Sequence, residues 1–189
     1  MIAVTGSTGA LGGLVARSLA GADFRLDLRL LVRDAGRAPD IECDVRVCEY
    51  ADEDTSVAAL QGVDTLLMVS ASEAEDRREQ HRTFIRAATR AGVRHIVYTS
   101  FAGAAPDAVF TLGRDHYDAE TAIRESGTTW TFLRDNFYLD ILPLFADENG
   151  VIRGPAGRAG WPPWPGPTWP TWRWRSCATR APTPTRRTR

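Results

Sequence analysis

The chain has 189 residues, a formal net charge of −1 and 43% hydrophobic residues, which is enough apolar material for one globular domain and excludes a disordered chain. It holds no apolar run of about 18 residues and no basic stretch ahead of an apolar N-terminal segment, so neither a membrane span nor a secretory signal is read; a soluble cytoplasmic protein is expected. Cys43, Cys48 and Cys177 are too few and too irregularly spaced for a disulfide framework or a zinc site, so they read as buried thiols and no metal is expected.

Residues 2–4 form a short apolar run that ends in glycine-rich sequence, and residues 11–19 carry apolar side chains at helical spacing, which predicts strand, turn and helix. Residues 28–32 and 45–47 read as further strands, 56–60 as part of a short helix and 65–69 as a fourth strand. The polar stretch 75–91 places Phe84, Ile85, Ala87 and Ala88 on one side and stops at Gly92, as an amphipathic helix does. Strands follow at 95–98 and 130–133, with a helix at 115–124 between them and a short apolar helix, interrupted by Pro143, at 137–145. Strands alternating with crossover helices predict an α/β fold built on a doubly wound parallel sheet.

The composition breaks near Gly157. All 24 acidic residues and 16 of the 23 arginines precede that point, giving residues 1–157 a charge of −8. The last 32 residues carry +7, five of the six tryptophans and seven of the eleven prolines, a proline density that no helix or central strand tolerates. A basic aromatic arm for single-stranded nucleic acid, or a proline-rich ligand, is one reading of residues 158–189, but the pattern matches no module of defined spacing.

The genetic code offers another. Abundant Arg, Ala, Gly and Pro with no lysine indicate a G+C-rich gene. Reading one base earlier turns each tail tryptophan into Val or Leu, and each Pro-Thr-Trp into Ala-Asp followed by Val or Leu. Strand-like and then helix-like apolar spacing returns, with aspartates. The expectation is therefore a domain over 1–157 and an out-of-frame tail over 158–189, with no nucleic-acid partner.

Directly after the first strand stand Thr5, Gly6, Ser7, Thr8, Gly9, Ala10, Leu11 and Gly12, a Gly-x-x-Gly-x-x-Gly pattern entering a helix. In that context Gly6 serves the tight turn, Gly9 the approach of backbone to a pyrophosphate, and Gly12 the close packing of helix on sheet. The helix start offers free N–H groups and a positive dipole end to phosphates; the bland alternative is a glycine-rich turn with no ligand. At the end of the second strand, an acid would bind the ribose hydroxyls of NAD, whereas an arginine pairs with the 2′-phosphate of NADP. Arg33 stands there, followed by Asp34, which favours NADP(H) over NAD(H) unless Asp34 and Arg37 merely form a surface pair.

These residues resemble the NmrA-like branch of the atypical short-chain dehydrogenases, which includes bacterial NAD(P)H:quinone oxidoreductases. The resemblance is carried by residues 2–9, by 31–34, by Gln80, His81 and Arg82, by 91–100, and by Leu133, Arg134, Asp135 and Asn136. It runs to Gly157 and stops. It implies a Rossmann domain with NADP(H) along residues 6–11, Arg33 near the adenosine phosphate, and Ser70, Ala71, Thr99 and Ser100 toward the nicotinamide. Family members continue for roughly a hundred more residues into a substrate lobe, which in this chain is missing or out of frame.

Ordinary short-chain dehydrogenases use a tyrosine proton donor with a lysine four residues later. Here Tyr117 is followed by Thr121, so the lysine is absent, and an unassisted phenol is a poor acid at neutral pH. Ser100 and Tyr117 are the candidate catalytic donors, with a packed tyrosine and a strand-terminal serine as the alternative. A quinone eases this difficulty because it takes its protons from water after accepting hydride. Phe101, Tyr117, Asn136, Phe137 and Tyr138 are candidates for the substrate wall, with core packing an equal explanation of Phe137, and His81, within a polar helix, reads as a surface or half-buried histidine without a role.

The expected activity is hydride transfer from NADPH to a quinone-like or carbonyl acceptor. The alternatives are an NADP-sensing regulatory protein without turnover and an inactive product of a damaged reading frame. A small-molecule substrate is the expected partner, and a homodimer is left open.

Overall fold

The computed structural model describes residues 1–22, 26–138, 144, 147 and 148. Strands and helices alternate along it: β1 (Ile2–Thr5), α1 (Ala10–Ala20), β2 (Leu28–Val32), β3 (Asp44–Val47), α2 (Glu53–Leu60), β4 (Thr65–Met68), α3 (Arg77–Arg90), β5 (His95–Phe101), α4 (Thr111–Glu125) and β6 (Thr129–Asp135). A single 3-10 turn, Ala35–Arg37, lies between β2 and β3. The strands form one sheet in the order β3-β2-β1-β4-β5-β6, and every pair is parallel. The doubly wound fold expected from the alternation is thus present. The strand order reverses between β1 and β4, and the crevice at the carboxyl ends of those strands is where such sheets bind ligands.

Both faces of the sheet are covered, which is why its strands read as near-continuous apolar runs. Ala3, Leu31, Leu66, Met68, Ile96 and Tyr98 share a core with Leu60 of α2, Phe84 and Ala88 of α3, and Ile123 of α4. Their neighbours along each strand point the other way, and Val4, Leu30, Leu67 and Val97 pack with Val15, Ala16 and Leu19 of α1. Arg29, the one charged residue in β2, is buried but hydrogen-bonded. Its Nε donates to Asp44 Oδ2 at 2.7 Å, and its Nη1 to the carbonyls of Ala59 and Gln61 at 2.8 Å each. The guanidinium so joins β2, β3 and the end of α2, where carbonyls without helical partners gather.

Several elements run longer than apolar spacing marks. α2 starts at Glu53 because Asp52 Oδ1 accepts the Thr55 N–H at 3.1 Å and two acids occupy the first turn, a capped start that precedes the apolar residues. α4 starts at Thr111 despite a glycine in its first turn; a Cβ on Gly113 would stand 3.0 Å from Ala108 Cβ and 3.1 Å from the Gly103 oxygen. β5 and β6 pair from His95↔Thr129 to Phe101↔Asp135, so the sheet partner, and not hydrophobicity, extends both toward the carboxyl edge. Phe137 and Tyr138 lie outside any helix. The rest of the helix expected at 137–145, apart from position 144, and the whole tail 158–189 lie outside the described residues.

Candidate nucleotide site at the carboxyl edge

The turn between β1 and α1 is built on steric demands internal to the chain. Gly6 has φ +62°, and a Cβ on it would stand 3.0 Å from Val69 Cβ. A Cβ on Gly12 would lie 2.3 Å from the Gly6 oxygen and 2.8 Å from the Thr5 oxygen, so only glycine lets the helix approach the turn this closely. Gly9 differs. Its φ of −94° is ordinary, and a Cβ there would meet only the Gly6 oxygen, at 3.3 Å.

Gly9 is also the N-cap of α1, which has neither a capping side chain nor an acid in its first turn. The N–H groups of Ala10, Leu11 and Gly12 therefore have no intrahelical acceptor and form the positive end of the helix dipole. Ser7 Oγ beside them is buried with no hydrogen-bond partner among the described residues. A backbone that can be approached at Gly9, an uncapped dipole end and an orphaned hydroxyl fit a pyrophosphate. Thr8, Gly9 and Ala10 are exposed at the mouth of the turn, and Leu11 is half-buried.

At the tip of β2, Arg33 is exposed and makes no ion pair among the described residues. Asp34 does not pair with Arg37 there; its Oδ1 accepts the Gly36 N–H at 2.9 Å and caps the 3-10 turn.

The segment leaving β4 is pinned by side chains from four other elements or loops. Val69 N donates to Thr5 Oγ1 at 2.8 Å, and Tyr50 Oη donates to the Val69 oxygen at 2.7 Å. Ser70 N donates to Thr99 Oγ1 at 2.8 Å. Ala71 N donates to His81 Nε2 at 3.0 Å, while Arg77 Nε donates to the Ala71 oxygen at 2.9 Å. Ser70, Ala71 and Thr99 are thus brought together at the carboxyl edge.

His81 is corrected: it is wholly buried, because positions 77, 81, 84, 85 and 88 form one inward stripe of α3. Burial first, and then the charges of Arg77 and His116, push its pKa down to about 3, so the ring is neutral. Arg77 continues to Asp115 Oδ2 and His116 Nε2, each at 3.3 Å. Since an arginine only donates, His116 Nε2 accepts, and its Nδ1–H donates to Tyr98 Oη at 2.9 Å.

Ser100 points to the other face of β5 from Thr99. It is buried, and its Oγ donates to Glu120 Oε1 at 2.6 Å. Glu120 also accepts Arg134 through both oxygens at 2.8 and 2.6 Å, and Arg124 at 2.7 Å. Burial pushes this carboxyl up, but the hydrogen bonds from Arg134, Ser100 and Arg124 outweigh it and hold its pKa below the ordinary value. Tyr117 is half-buried on α4, and the residue four positions on, Thr121, spends its hydroxyl on the Tyr117 carbonyl at 2.9 Å. Among the described residues no hydrogen bond joins Ser100 to Tyr117.

Beyond the strand ends, Phe101, Phe110 and Phe137 form a cluster with ring centroids 5.5 to 5.8 Å apart, and His116 stacks on Phe101 at 6.2 Å. Phe110 and Phe137 are 40% and 37% exposed, so this apolar wall is open on one side. Asn136 Oδ1 accepts the Phe137 N–H at 2.9 Å, and Tyr138 Oη donates to Asp135 Oδ2 at 3.1 Å.

A family model described as NAD(P)H-binding matches residues 6–147. Quinone oxidoreductase 2 of Escherichia coli (strain K12) is 37% identical over 163 residues, covering 83% of this chain and 57% of that protein. The NAD(P)H azoreductase of Xenophilus azovorans is 34% identical over 163 residues, covering 83% and 56%. Among solved structures, the Citrobacter sp. triphenylmethane reductase complexed with NADP(H) matches with a TM-score of 0.70 at 35% identity, over 75% of this chain and 51% of that one. The NADPH-dependent quinone oxidoreductase of Escherichia coli complexed with NADPH matches with 0.69 at 37% identity, over 77% and 53%. The chain spans a little over half the length of these two relatives.

Proposed function

The chain belongs to the NAD(P)H-binding family, and from that premise we propose that it is an NADP-dependent oxidoreductase that passes hydride from NADPH to a quinone-like or carbonyl acceptor. The observation that carries this reading is the uncapped, acid-free start of α1 beside the buried Ser7 hydroxyl. Gly6, Ser7, Thr8, Gly9, Ala10 and Leu11 would hold the pyrophosphate, and Arg33, unpaired among the described residues, would hold the adenosine phosphate. Ser70, Ala71 and Thr99 would border the nicotinamide, with Ser100 beside them contributing backbone only, because its hydroxyl is held by Glu120. When bound, the reduced cofactor supplies the hydride.

Phe101, Tyr117, Asn136, Phe137 and Tyr138 would form the acceptor wall, joined by Phe110, which sequence spacing did not single out. A planar apolar acceptor suits exposed aromatic faces. A quinone also suits a site in which Ser100 is already committed to Glu120 and Tyr117 has no lysine beside it, since reduction then needs no protein acid. We assign residues 1–157 to this domain.

The same two features, Ser100 Oγ donating to Glu120 and Thr121 standing where a lysine would be, support a second reading as an NADP-sensing protein without turnover. Titration of the purified full chain with NADPH and NADH, followed by NADPH oxidation against a panel of quinones and carbonyls, separates the two. Binding with turnover supports the reductase, binding without turnover the sensor, and no binding of either nucleotide sinks both.

A further inference from the structure

One residue of the segment after β4 has both of its backbone polar groups held by side chains from a single helix. Ala71 donates to His81 and accepts from Arg77, which stand one turn apart on the inward stripe of α3. The stripe continues in Phe84, Ile85 and Ala88, so an apolar ring at position 81 would complete it at lower cost. Instead it carries an imidazole whose Nδ1 is buried with no partner among the described residues, and an unsatisfied buried donor destabilises the fold. The polar contact made by the ring is the one at Ala71.

The tautomer follows from that contact. Nε2 accepts an N–H, so it carries a lone pair and the proton sits on Nδ1. Burial together with the Arg77 charge keeps the ring neutral and preserves that acceptor. Arg77 in turn is oriented by Asp115 and His116, which ties the carbonyl side of Ala71 to α4. Around this residue, Ser70 N is held by Thr99 and Val69 by Thr5 and Tyr50. The backbone at the carboxyl edge of β4 is therefore fixed by hydrogen bonds on three consecutive residues.

We propose that His81 is a positioning residue for the nicotinamide cofactor, acting through Ala71: its Nε2 and the Arg77 guanidinium clamp the two sides of that residue and hold the edge of β4 in the shape the cofactor meets. The proposal rests on the NADP-binding reading above.

The test compares the full-length protein with His81→Phe, His81→Gln and His81→Asn, measuring amide hydrogen exchange at Ala71 and the NADPH dissociation constant. Phenylalanine keeps the ring contacts with Tyr98 and Tyr50 and removes the acceptor. Glutamine can present an oxygen near the place of Nε2, whereas asparagine is too short. In His81→Phe the Ala71 amide is expected to exchange about tenfold faster and NADPH to bind about fivefold more weakly, with Leu67 and Phe84 amides unchanged. Glutamine restores most of both losses; asparagine restores neither.

Equal Ala71 protection in wild type and His81→Phe overturns the proposal, as does equal behaviour of the glutamine and asparagine variants. That second comparison also decides the matter if phenylalanine perturbs the fold. NADPH binding that is unaltered in His81→Phe despite faster exchange overturns the positioning role alone. A wild-type chain that binds no NADPH overturns the functional reading and this one with it.

Discussion

Ser100 and Glu120 share a 2.6 Å hydrogen bond across the contact between β5 and α4, and the proton of that bond belongs to the serine because the carboxylate can only accept. Glu120 has no side-chain exposure, while the two guanidiniums that pair with it, Arg124 and Arg134, are 37% and 43% exposed. The carboxylate thus ties β5 and β6 to the middle of α4. A serine at the end of β5 is in this chain part of a structural clamp.

Replacing Glu120 by glutamine removes the charge that both arginines answer while keeping the shape. We expect a loss of about 2 kcal/mol, less than for a wholly buried pair because the guanidiniums retain contact with water. The pH dependence has a definite sign. A carboxyl whose folded pKa lies below its unfolded value of about 4.3 contributes stability above that value and loses it as the pH falls through the folded pKa. The gap in unfolding free energy between wild type and Glu120→Gln should be constant above about pH 6 and close below about pH 4, as urea titrations at a series of pH values would show. A gap that widens on acidification would contradict the assignment.

Ser100→Ala is expected to lower stability by about 1 kcal/mol and to leave kcat for quinone reduction within about twofold, because the hydroxyl proton is spent on Glu120. Tyr117→Phe should likewise leave kcat within about twofold if the acceptor is a quinone, which can take its protons from water. Steady-state kinetics on both variants decide the point; a hundredfold loss of kcat in either would return that residue to the chemistry.

The positions of the strands and the glycine turn were legible in the sequence because both are local. Apolar runs bounded by glycine mark the strands, and the spacing of Gly6, Gly9 and Gly12 is a steric pattern within seven residues. The clamp on Ala71 was not legible. Arg77 and His81 lie in a run of charged residues that reads as a solvated face. Their burial makes sense only with partners 6, 10, 38 and 39 positions away. The pairing of Thr5 with Tyr50 spans 45 residues, and that of Ser100 with Glu120 crosses from strand to helix over 20. A signal for His81 did exist: its spacing to Phe84, Ile85 and Ala88 places it on the apolar stripe, where a polar side chain needs a partner.

If Arg33 holds the adenosine phosphate as proposed, it sets which dinucleotide is preferred. Arg33→Glu should weaken NADPH binding at least about tenfold, and leave NADH binding equal or stronger, since an acid there can take the ribose hydroxyls. Because the side chain is exposed and makes no ion pair among the described residues, stability should change by less than about 0.5 kcal/mol. Titration with both nucleotides checks this, and an unchanged ratio of the two affinities would place the adenosine phosphate elsewhere.

Gly9 and Gly12 separate the needs of the fold from those of the ligand. Alanine at Gly12 puts its methyl 2.3 Å from one backbone oxygen and 2.8 Å from another, so helix or turn must move; we expect a loss of about 3 kcal/mol together with NADPH binding. Alanine at Gly9 meets only the Gly6 oxygen at 3.3 Å, on an ordinary backbone, and should cost about 1 kcal/mol or less. If the pyrophosphate approaches the backbone at this turn as proposed, the methyl stands in its way, and NADPH affinity should fall at least about tenfold. Thermal unfolding and NADPH titration of the two variants distinguish these effects. A Gly9→Ala protein that binds NADPH like wild type would move the pyrophosphate away from this turn, because the chain itself makes little steric demand for glycine there.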